Sequence, residues 1–250
     1  MKIAVAGATG RLGRHVAEAL GERGHEVVPI ARAVGVDLIT GTGLEEALAG
    51  AELIVDAATG PSPEQREATD FFVTSARNMQ EAGVRAGVRR AIVVSIIGTG
   101  KFTGGYGLAK IAQEEAWQSG SIPVRILRAA QFHEFVALLL DWGTSDDVAR
   151  VPVMRTQIVA ARAVAGVIAD LAESPWTGSA GPIEVAGPRE EDMVALATML
   201  AARRGGPPKV EGARDPADPD AEMQATGGLL PGPAACLVGP TFEDWLAGQP

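Results

Sequence analysis

The sequence is poor in cysteine, in tyrosine and in long apolar runs. Its single cysteine, Cys236, can form neither an internal disulfide nor a cysteine-based metal cluster. The longest apolar run, Phe135–Leu140, ends at Asp141 and is far shorter than the ~20 residues of a membrane helix. The apolar start of the chain is interrupted at Gly7, too early for the apolar core of a secretory signal. These absences favour a soluble, cytoplasmic protein.

Basic residues are also in deficit. The 22 Lys and Arg against 31 Asp and Glu give a formal charge of −9, which argues against a nucleic-acid partner. No metal-binding motif such as H-E-x-x-H occurs, so no metal site is expected. Of the 22 basic residues 18 are arginine, and with the many alanines and glycines this favours a GC-rich bacterial source. We therefore expect a small-molecule partner.

The remaining composition is that of a globular chain with many turns. The 250 residues include 31 glycines and 16 prolines, and 46% of the chain is hydrophobic. This length fits one large domain, or one domain with a small attached lobe.

Apolar runs alternate with amphipathic segments along most of the chain. The apolar runs predict strands at residues 2–6, 26–31, 35–39, 52–57, 91–95, 124–127 and 183–186. The segments between and after them predict helices at 11–23, 44–49, 63–86, 106–118, 160–172, 190–203 and 241–246. Residues 204–220 and 227–240, rich in glycine and proline, are expected to be loops. The alternation predicts an α/β fold with a doubly wound parallel sheet.

A glycine loop lies between the first predicted strand and the first predicted helix. Gly7, Gly10 and Gly13 stand at G-x-x-G-x-x-G spacing. The first glycine permits a sharp turn, the second lets the backbone approach a pyrophosphate, and the third lets helix and strand pack closely. The helix N-terminus then faces the phosphates. This context predicts dinucleotide binding.

The loop sequence GATGRLGRHV resembles the opening of the extended and atypical short-chain dehydrogenases/reductases, especially their NmrA-like NAD(P)-binding branch. The resemblance continues through VDLITGTGLEEALAGAELIVDAAT, VVSIIG, YGLAK and VRILRAAQFHEF to the tail TFEDWLA. It implies a Rossmann-type dinucleotide-binding domain at residues 1–152. It also implies a smaller C-terminal part at 153–250 that completes the sheet and forms a substrate lobe.

Within that resemblance, a first group of residues is expected to bind the cofactor. They are Gly7, Thr9, Gly10, Arg11, Leu12, Gly13, Arg32, Asp37, Ala58, Thr59 and Lys110. Thr59 is included by position, as a ribose or phosphate contact. Asp37 resembles the acidic residue that the family places near the adenine, although it equally fits a turn cap.

The end of the second strand bears on which cofactor is used. Sites that prefer NAD place an acid there, whereas this strand ends in Arg32, with Arg11 as a second cation in the loop. A guanidinium can hold a 2′-phosphate by paired charge-assisted hydrogen bonds. NADP(H) is therefore favoured over NAD(H); the alternative is that Arg32 is only a solvated strand-end residue.

Tyr106 and Lys110 are the candidate catalytic pair. They stand four residues apart at the start of a predicted helix, so their side chains share a face. The spacing resembles the Y-x-x-x-K motif of the family, in which the tyrosine is the general acid/base and the lysine holds the nicotinamide ribose. A nearby ammonium is expected to lower the pKa of the phenol. Alternatively, Tyr106 packs on the helix and Lys110 is solvated.

The third member of the family's catalytic group is a serine or threonine. Ser95 ends the fifth predicted strand and is the weaker match, because Ile96 and Ile97 follow it; Thr99 is the substitute. For the substrate pocket we expect His133, Phe132 and Thr99. A single histidine beside aromatic residues is also typical of core packing.

Three functions remain open. The first is an NADPH-dependent oxidoreductase that reduces a small apolar carbonyl, quinone or enone, with Tyr106 as proton donor. The second is an NADP(H)-binding, redox-sensing regulator without turnover, which the altered serine region favours. The third is a sugar-nucleotide epimerase or dehydratase, against which the low basic density of the C-terminal part argues. A monomer or a homodimer is expected.

Overall fold

A computed structural model of the protein describes residues 1–175 and 181–249. Within these residues the strands are β1 (Lys2–Ala6), β2 (Glu26–Ile30), β3 (Leu53–Asp56), β4 (Arg90–Ile96), β5 (Val124–Ala129), β6 (Thr144–Ser145), β7 (Val148–Pro152), β8 (Arg155–Thr156), β9 (Ile183–Ala186), β10 (Glu191–Asp192), β11 (Lys209–Ala213) and β12 (Cys236–Leu237). The helices are α1 (Gly13–Glu22), α2 (Leu44–Leu48), α3 (Gln65–Ala86), α4 (Gly105–Gln118), α5 (His133–Gly143), α6 (Ala161–Glu173), α7 (Met193–Arg204), α8 (Ala221–Ala225) and α9 (Phe242–Ala247).

A parallel sheet of seven of these strands is the centre of the fold. Its order is β12-β9-β5-β4-β3-β1-β2, with helices between successive strands. The inner strands β1, β3 and β4 are nearly continuous apolar runs because helices cover both faces of a parallel sheet. The edge strand β2 carries Pro29, whose missing N–H an edge position tolerates. The predicted Rossmann-type doubly wound sheet is confirmed.

The chain forms two compact units, each built from separated segments. The first comprises Met1–Ser95, Gly105–Arg128 and the described part of Val164–Ile183. The second comprises Ile96–Gly104, Ala129–Ala163 and the described part of Glu184–Pro250. The assignment of residues 1–152 to the cofactor and of 153–250 to the substrate stays a prediction.

Each unit has its own apolar core. In the first unit, residues of β1, β3 and β4 pack against α2, α3 and α4, with Trp117 and Met79 fully buried. In the second unit, α5 and α7 pack against β7, with Leu140, Leu196 and Phe242 buried among them. In the part of the chain that the structure describes, the helices are all too short or too polar to cross a membrane.

The strand predicted at residues 35–39 is wrong, because this segment turns instead. Asp37 Oδ1 accepts hydrogen bonds from the backbone N–H groups of Ile39 at 2.7 Å and Thr40 at 3.1 Å. Gly35 and Gly41 adopt left-handed backbone conformations on either side, with φ of 83° and 74°. Local bonds from an aspartate side chain compete with a strand ladder, and here they replace it.

The loop predicted at residues 204–220 is also partly wrong, since it contains β11. Lys209–Ala213 pairs in parallel with Val148–Pro152. The partner strand is distant in sequence and the segment is flanked by prolines, so its local pattern gives no sign of a strand. The final helix is confirmed: the Thr241 side chain caps it by accepting from the Asp244 N–H at 3.1 Å.

Candidate functional site

The glycine loop connects β1 to α1 in a tightly packed turn. Gly7 has a φ of 73°, and its N–H donates to Ile30 O at 2.9 Å. A Cβ on Gly7 would lie 2.7 Å from Ala57 O, and a Cβ on Gly13 would lie 2.1 Å from Gly7 O. Only glycine fits at these two positions. Gly10 N donates to Gly7 O at 2.8 Å, which closes the turn.

The rest of the loop presents backbone to solvent. Thr9, Gly10 and Arg11 are exposed, whereas Leu12 is buried. After β3, Ala58 is buried against the loop, and its Cα would lie 2.8 Å from a Cβ on Gly7; Thr59 is exposed. An open backbone cradle before a helix N-terminus fits a pyrophosphate. The structure thus brings together the predicted cofactor residues that follow β1 and β3.

Arg32 and Asp37 follow β2. Arg32 is exposed at the start of a single 3₁₀ turn, Arg32–Val34. The backbone N–H groups of Thr40 and Ile39 hold the pKa of Asp37 below its usual value, with a smaller contribution from Arg32. Asp37 therefore caps a turn, which was the second of its two interpretations from the sequence. Its contact with the adenine stays a prediction. Among residues 1–175 and 181–249, neither the Arg11 side chain nor the Arg32 side chain forms a hydrogen bond or ion pair.

Tyr106 and Lys110 lie on the first turns of α4 and both contact Phe72 of α3. The Tyr106 ring meets the Phe72 ring edge-to-face, with centroids 5.7 Å apart. Lys110 Nζ lies over the same ring, 4.5 Å from its centroid. Tyr106 and Lys110 therefore share one face of α4, as their four-residue spacing predicts. Within the described chain, the Tyr106 hydroxyl forms no hydrogen bond.

The pKa of Tyr106 departs from the sequence-based expectation. Burial, with a smaller contribution from the Asp56 carboxylate, raises the pKa of Tyr106 to about 12. The expected lowering by Lys110 is wrong, because burial disfavours the charged phenolate. The Lys110 ammonium itself donates to Val94 O at 2.8 Å and to Gln113 Oε1. At neutral pH the phenol is therefore protonated.

Lys110 is only 5% exposed and belongs to a buried polar network that sequence reasoning missed. Gln113 Nε2 donates to Asp56 Oδ2 at 2.9 Å, and Trp117 Nε1 donates to the same oxygen at 2.8 Å. Burial lowers the pKa of Lys110 to about 8, against the opposing effect of Asp56 and of Glu114. One feature of the sequence could have indicated this network: Asp56 is an acid at the end of an otherwise apolar strand, Leu53–Asp56.

Ser95 and Thr99 are both buried. Ser95 belongs to the first unit and Thr99 to the second. Ser95 directly follows Val94, whose carbonyl oxygen accepts from Lys110. Neither Ser95 Oγ nor Thr99 Oγ1 has a hydrogen-bond partner within the residues that the structure describes. A buried hydroxyl usually has a partner, so these two unpaired hydroxyls are the candidates for the serine or threonine role. The choice between them stays a prediction.

In the second unit, Phe132 and His133 stand at the start of α5. His133 is 1% exposed, and its ring meets those of Phe242 and Trp245 edge-to-face, at centroid distances of 5.5 and 5.2 Å. Phe132 is half-buried and pairs through its backbone with Val159. The surroundings of His133 are those of core packing, and its contact with substrate stays a prediction.

We expect His133 to make the protein acid-sensitive. Burial lowers its pKa from 6.5 to about 4, so between these values the unfolded chain binds a proton that the folded chain does not. The free energy of unfolding should fall by on the order of 3 kcal/mol as pH drops through this window. Urea unfolding of wild type and His133→Phe at several pH values measures this change. In the variant the free energy of unfolding should depend less steeply on pH. His15→Gln is the control, and equal slopes in all three proteins would contradict the assignment.

A buried carboxylate in the second unit fixes the segment that precedes α4. Asp220 is 3% exposed. It accepts from Thr103 N at 2.9 Å, from Thr103 Oγ1 at 2.7 Å and from Gly104 N at 3.1 Å. This contact orders the backbone of residues 103–104.

The residues that follow strands β1, β2 and β3 lie at the carboxyl ends of a parallel sheet, where nucleotides bind in open α/β folds. A model of an NAD(P)H-binding family matches residues 7–175. The chain belongs to this NAD(P)H-binding family. No curated protein sequence matches it.

Solved structures share the fold over nearly the whole chain. MoeE5 in complex with UDP-glucose and NAD is 18% identical, with a TM-score of 0.76 over 100% of this chain and 97% of its own. UDP-glucuronic acid 4-epimerase from Bacillus cereus is 15% identical, with a TM-score of 0.69 over 99% and 97%. Triphenylmethane reductase from Citrobacter sp., complexed with NADP(H), is 18% identical, with a TM-score of 0.66 over 92% and 91%. The comparisons therefore confirm the predicted NAD(P)H-binding family and the predicted Rossmann-type fold.

Proposed function

We propose that the protein is an NADPH-dependent oxidoreductase that reduces a small apolar carbonyl, quinone or enone. The observation that carries the proposal is the placement of Tyr106 beside Lys110 on α4, with its hydroxyl protonated and free of hydrogen bonds in the described chain. A bound nicotinamide dinucleotide supplies the hydride. Tyr106 Oη donates the proton to the substrate oxygen, and Ser95 Oγ donates a hydrogen bond to that same oxygen.

The charges of the second unit support an apolar substrate rather than a sugar nucleotide. A sugar nucleotide carries a diphosphate that needs cations. Six basic side chains of this unit are already paired with carboxylates: Arg150, Arg155, Arg189, Arg204, Lys209 and Arg214. Their charge is balanced within the protein, so they offer little to a second diphosphate.

A cofactor-binding regulator without turnover is the second candidate. The observation that favours it is the engagement of Lys110: of the three N–H groups of its ammonium, two donate within the protein, to Val94 O and Gln113 Oε1. One N–H is left for a ribose, on an ammonium that already lies over the Phe72 ring.

One assay separates the candidates. NADPH binding is measured by fluorescence titration, and NADPH absorbance is followed with a panel of aldehydes, ketones, quinones and enones. The proposed function requires binding together with oxidation of NADPH by members of the panel. Binding without oxidation identifies the regulator. Conversion of a nucleotide sugar without net consumption of NADPH, followed by chromatography, would replace the proposal by the epimerase alternative.

The NADP(H) preference has its own test at Arg32. We expect Arg32→Ala to lower the preference for NADPH over NADH roughly tenfold, because a charge-assisted hydrogen bond to the 2′-phosphate is worth about 1.5–3 kcal/mol. The ratio of the two dissociation constants is the measurement. Arg89→Ala is the matched control, since Arg89 is 77% exposed and precedes β4, at the amino ends of the strands. An unchanged ratio in Arg32→Ala would overturn the assignment.

A further inference from the structure

We propose that Asp56 is a positioning residue that acts on Lys110 through Gln113, and on the cofactor-binding segment through Ala58. This inference rests on the proposed function in one respect, since that function requires Lys110 and Ala58 to bind the cofactor. Asp56 and Gln113 lie outside the glycine loop and outside the Y-x-x-x-K motif. Their part in the site follows only from the contacts that the fold gives them.

The direction of every hydrogen bond in this chain of contacts is fixed by chemistry. A carboxylate only accepts and an ammonium only donates. Gln113 is fully buried between them and does both: its Nε2 donates to Asp56 Oδ2 at 2.9 Å, and its Oε1 accepts from Lys110 Nζ. A reversed amide would lose both bonds. The position of the ammonium is therefore tied to the position of the carboxylate.

The charges around Lys110 single out Asp56 as its balancing group. Glu114, on the same helix, is already held by a two-point contact with Arg128, whose Nε and Nη2 lie 3.0 and 2.7 Å from its two oxygens. Asp56 receives three donors, Gln113, Trp117 and Ala58. Burial raises the pKa of Asp56, and the charge of Lys110 opposes this. A buried carboxylate and a buried ammonium keep each other ionised.

The second oxygen of Asp56 binds the segment that follows β3, which is predicted to contact the cofactor. Asp56 Oδ1 accepts from Ala58 N at 3.1 Å. Ala58 packs against the turn at Gly7, where a Cβ would lie 2.8 Å from Ala58 Cα. One carboxylate thus holds the strand end that lines the glycine loop and, through one amide, the lysine of the Y-x-x-x-K motif. Loss of Asp56 should disturb both.

The test uses three variants of the full chain. Asp56→Asn removes the charge, and Gln113→Met breaks the link while leaving both carboxylates in place. Glu114→Gln is the matched control, because it neutralises a buried carboxylate near Lys110 that is outside the chain of contacts. Two quantities are measured: the NADPH dissociation constant, and the pH titration of ¹³Cε-labelled lysines by NMR. The sequence has only four lysines, Lys2, Lys101, Lys110 and Lys209, so the spectrum is simple.

In wild type the Lys110 signal should titrate well below the signals of the other three lysines. Asp56→Asn and Gln113→Met should each shift this titration further down and weaken NADPH binding about tenfold. Glu114→Gln should leave NADPH binding within about twofold, while lowering the Lys110 titration through loss of charge alone. Thermal unfolding shows whether each variant folds. If either Asp56→Asn or Gln113→Met does not fold, the result of the other one tests the inference.

One result would overturn the inference. It is a pair of folded variants, Asp56→Asn and Gln113→Met, with wild-type NADPH affinity and a wild-type Lys110 titration. If wild type binds no NADPH, the proposed function fails, and the lysine titrations of the unliganded variants still decide the link between Asp56 and Lys110.

Discussion

Replacing Tyr106 with phenylalanine is expected to abolish turnover while leaving NADPH bound. The substitution removes only the hydroxyl; the ring keeps its edge-to-face contact with Phe72 at 5.7 Å. General acid catalysis by a positioned side chain contributes about 10²–10⁴-fold to a rate, and kcat should fall by that factor. Tyr106 is the only tyrosine of the chain, so no neighbouring phenol can replace it.

The measurement is steady-state oxidation of NADPH with the best substrate of the panel, together with a cofactor titration. Ser119→Ala is the matched control: it deletes a hydroxyl just after α4 that donates to Ala116 O at 3.0 Å, and it should leave kcat unchanged. Turnover that survives in Tyr106→Phe would remove Tyr106 as the proton donor. A large loss of NADPH affinity in that variant would assign the hydroxyl to the cofactor instead.

Gly13→Ala is expected to cause a large loss of stability. A Cβ at this position would lie 2.1 Å from Gly7 O and 3.0 Å from Ala8 Cα, and both are backbone atoms that cannot swing aside. Overpacking of this kind costs at least about 1–3 kcal/mol. Because relief requires the turn at Gly7 to move, NADPH affinity should fall as well.

Gly21→Ala provides the control within the same helix. A Cβ on Gly21 meets nothing within 4 Å, and replacing glycine by alanine inside a helix stabilises by about 0.5–1 kcal/mol. Urea unfolding should therefore move the two variants in opposite directions. A Gly13→Ala protein as stable as wild type would contradict the close contact between α1 and the turn.

The fold was predictable where its signals are local. Strand β1 is an apolar run ending at Gly7, and its neighbours β3 and β4 read the same way because both faces of the sheet are covered. The glycine spacing predicts the tight turn because a close backbone approach leaves no room for a side chain. These strands and this turn were predicted from local pattern alone, and the structure has them.

The features that were missed depend on distant partners. Strand β11 exists because Lys209–Ala213 pairs with β7, more than fifty residues earlier in the chain. The pair formed by Asp56 and Gln113 joins two elements 57 residues apart. The direction of the Tyr106 pKa shift required knowing that the phenol is largely buried and that Asp56 lies nearby. No local pattern contains these facts.

The anchoring of residues 103–104 by Asp220 has a consequence for how the chain is synthesised. Thr103 and Asp220 are 117 residues apart, and a ribosome makes the chain from its N-terminus. The backbone just ahead of Tyr106 therefore lacks its anchor until Asp220, 117 residues after Thr103, has emerged. A nascent chain arrested before that residue should be open to proteases at 103–104, and one arrested after α9 should be protected there.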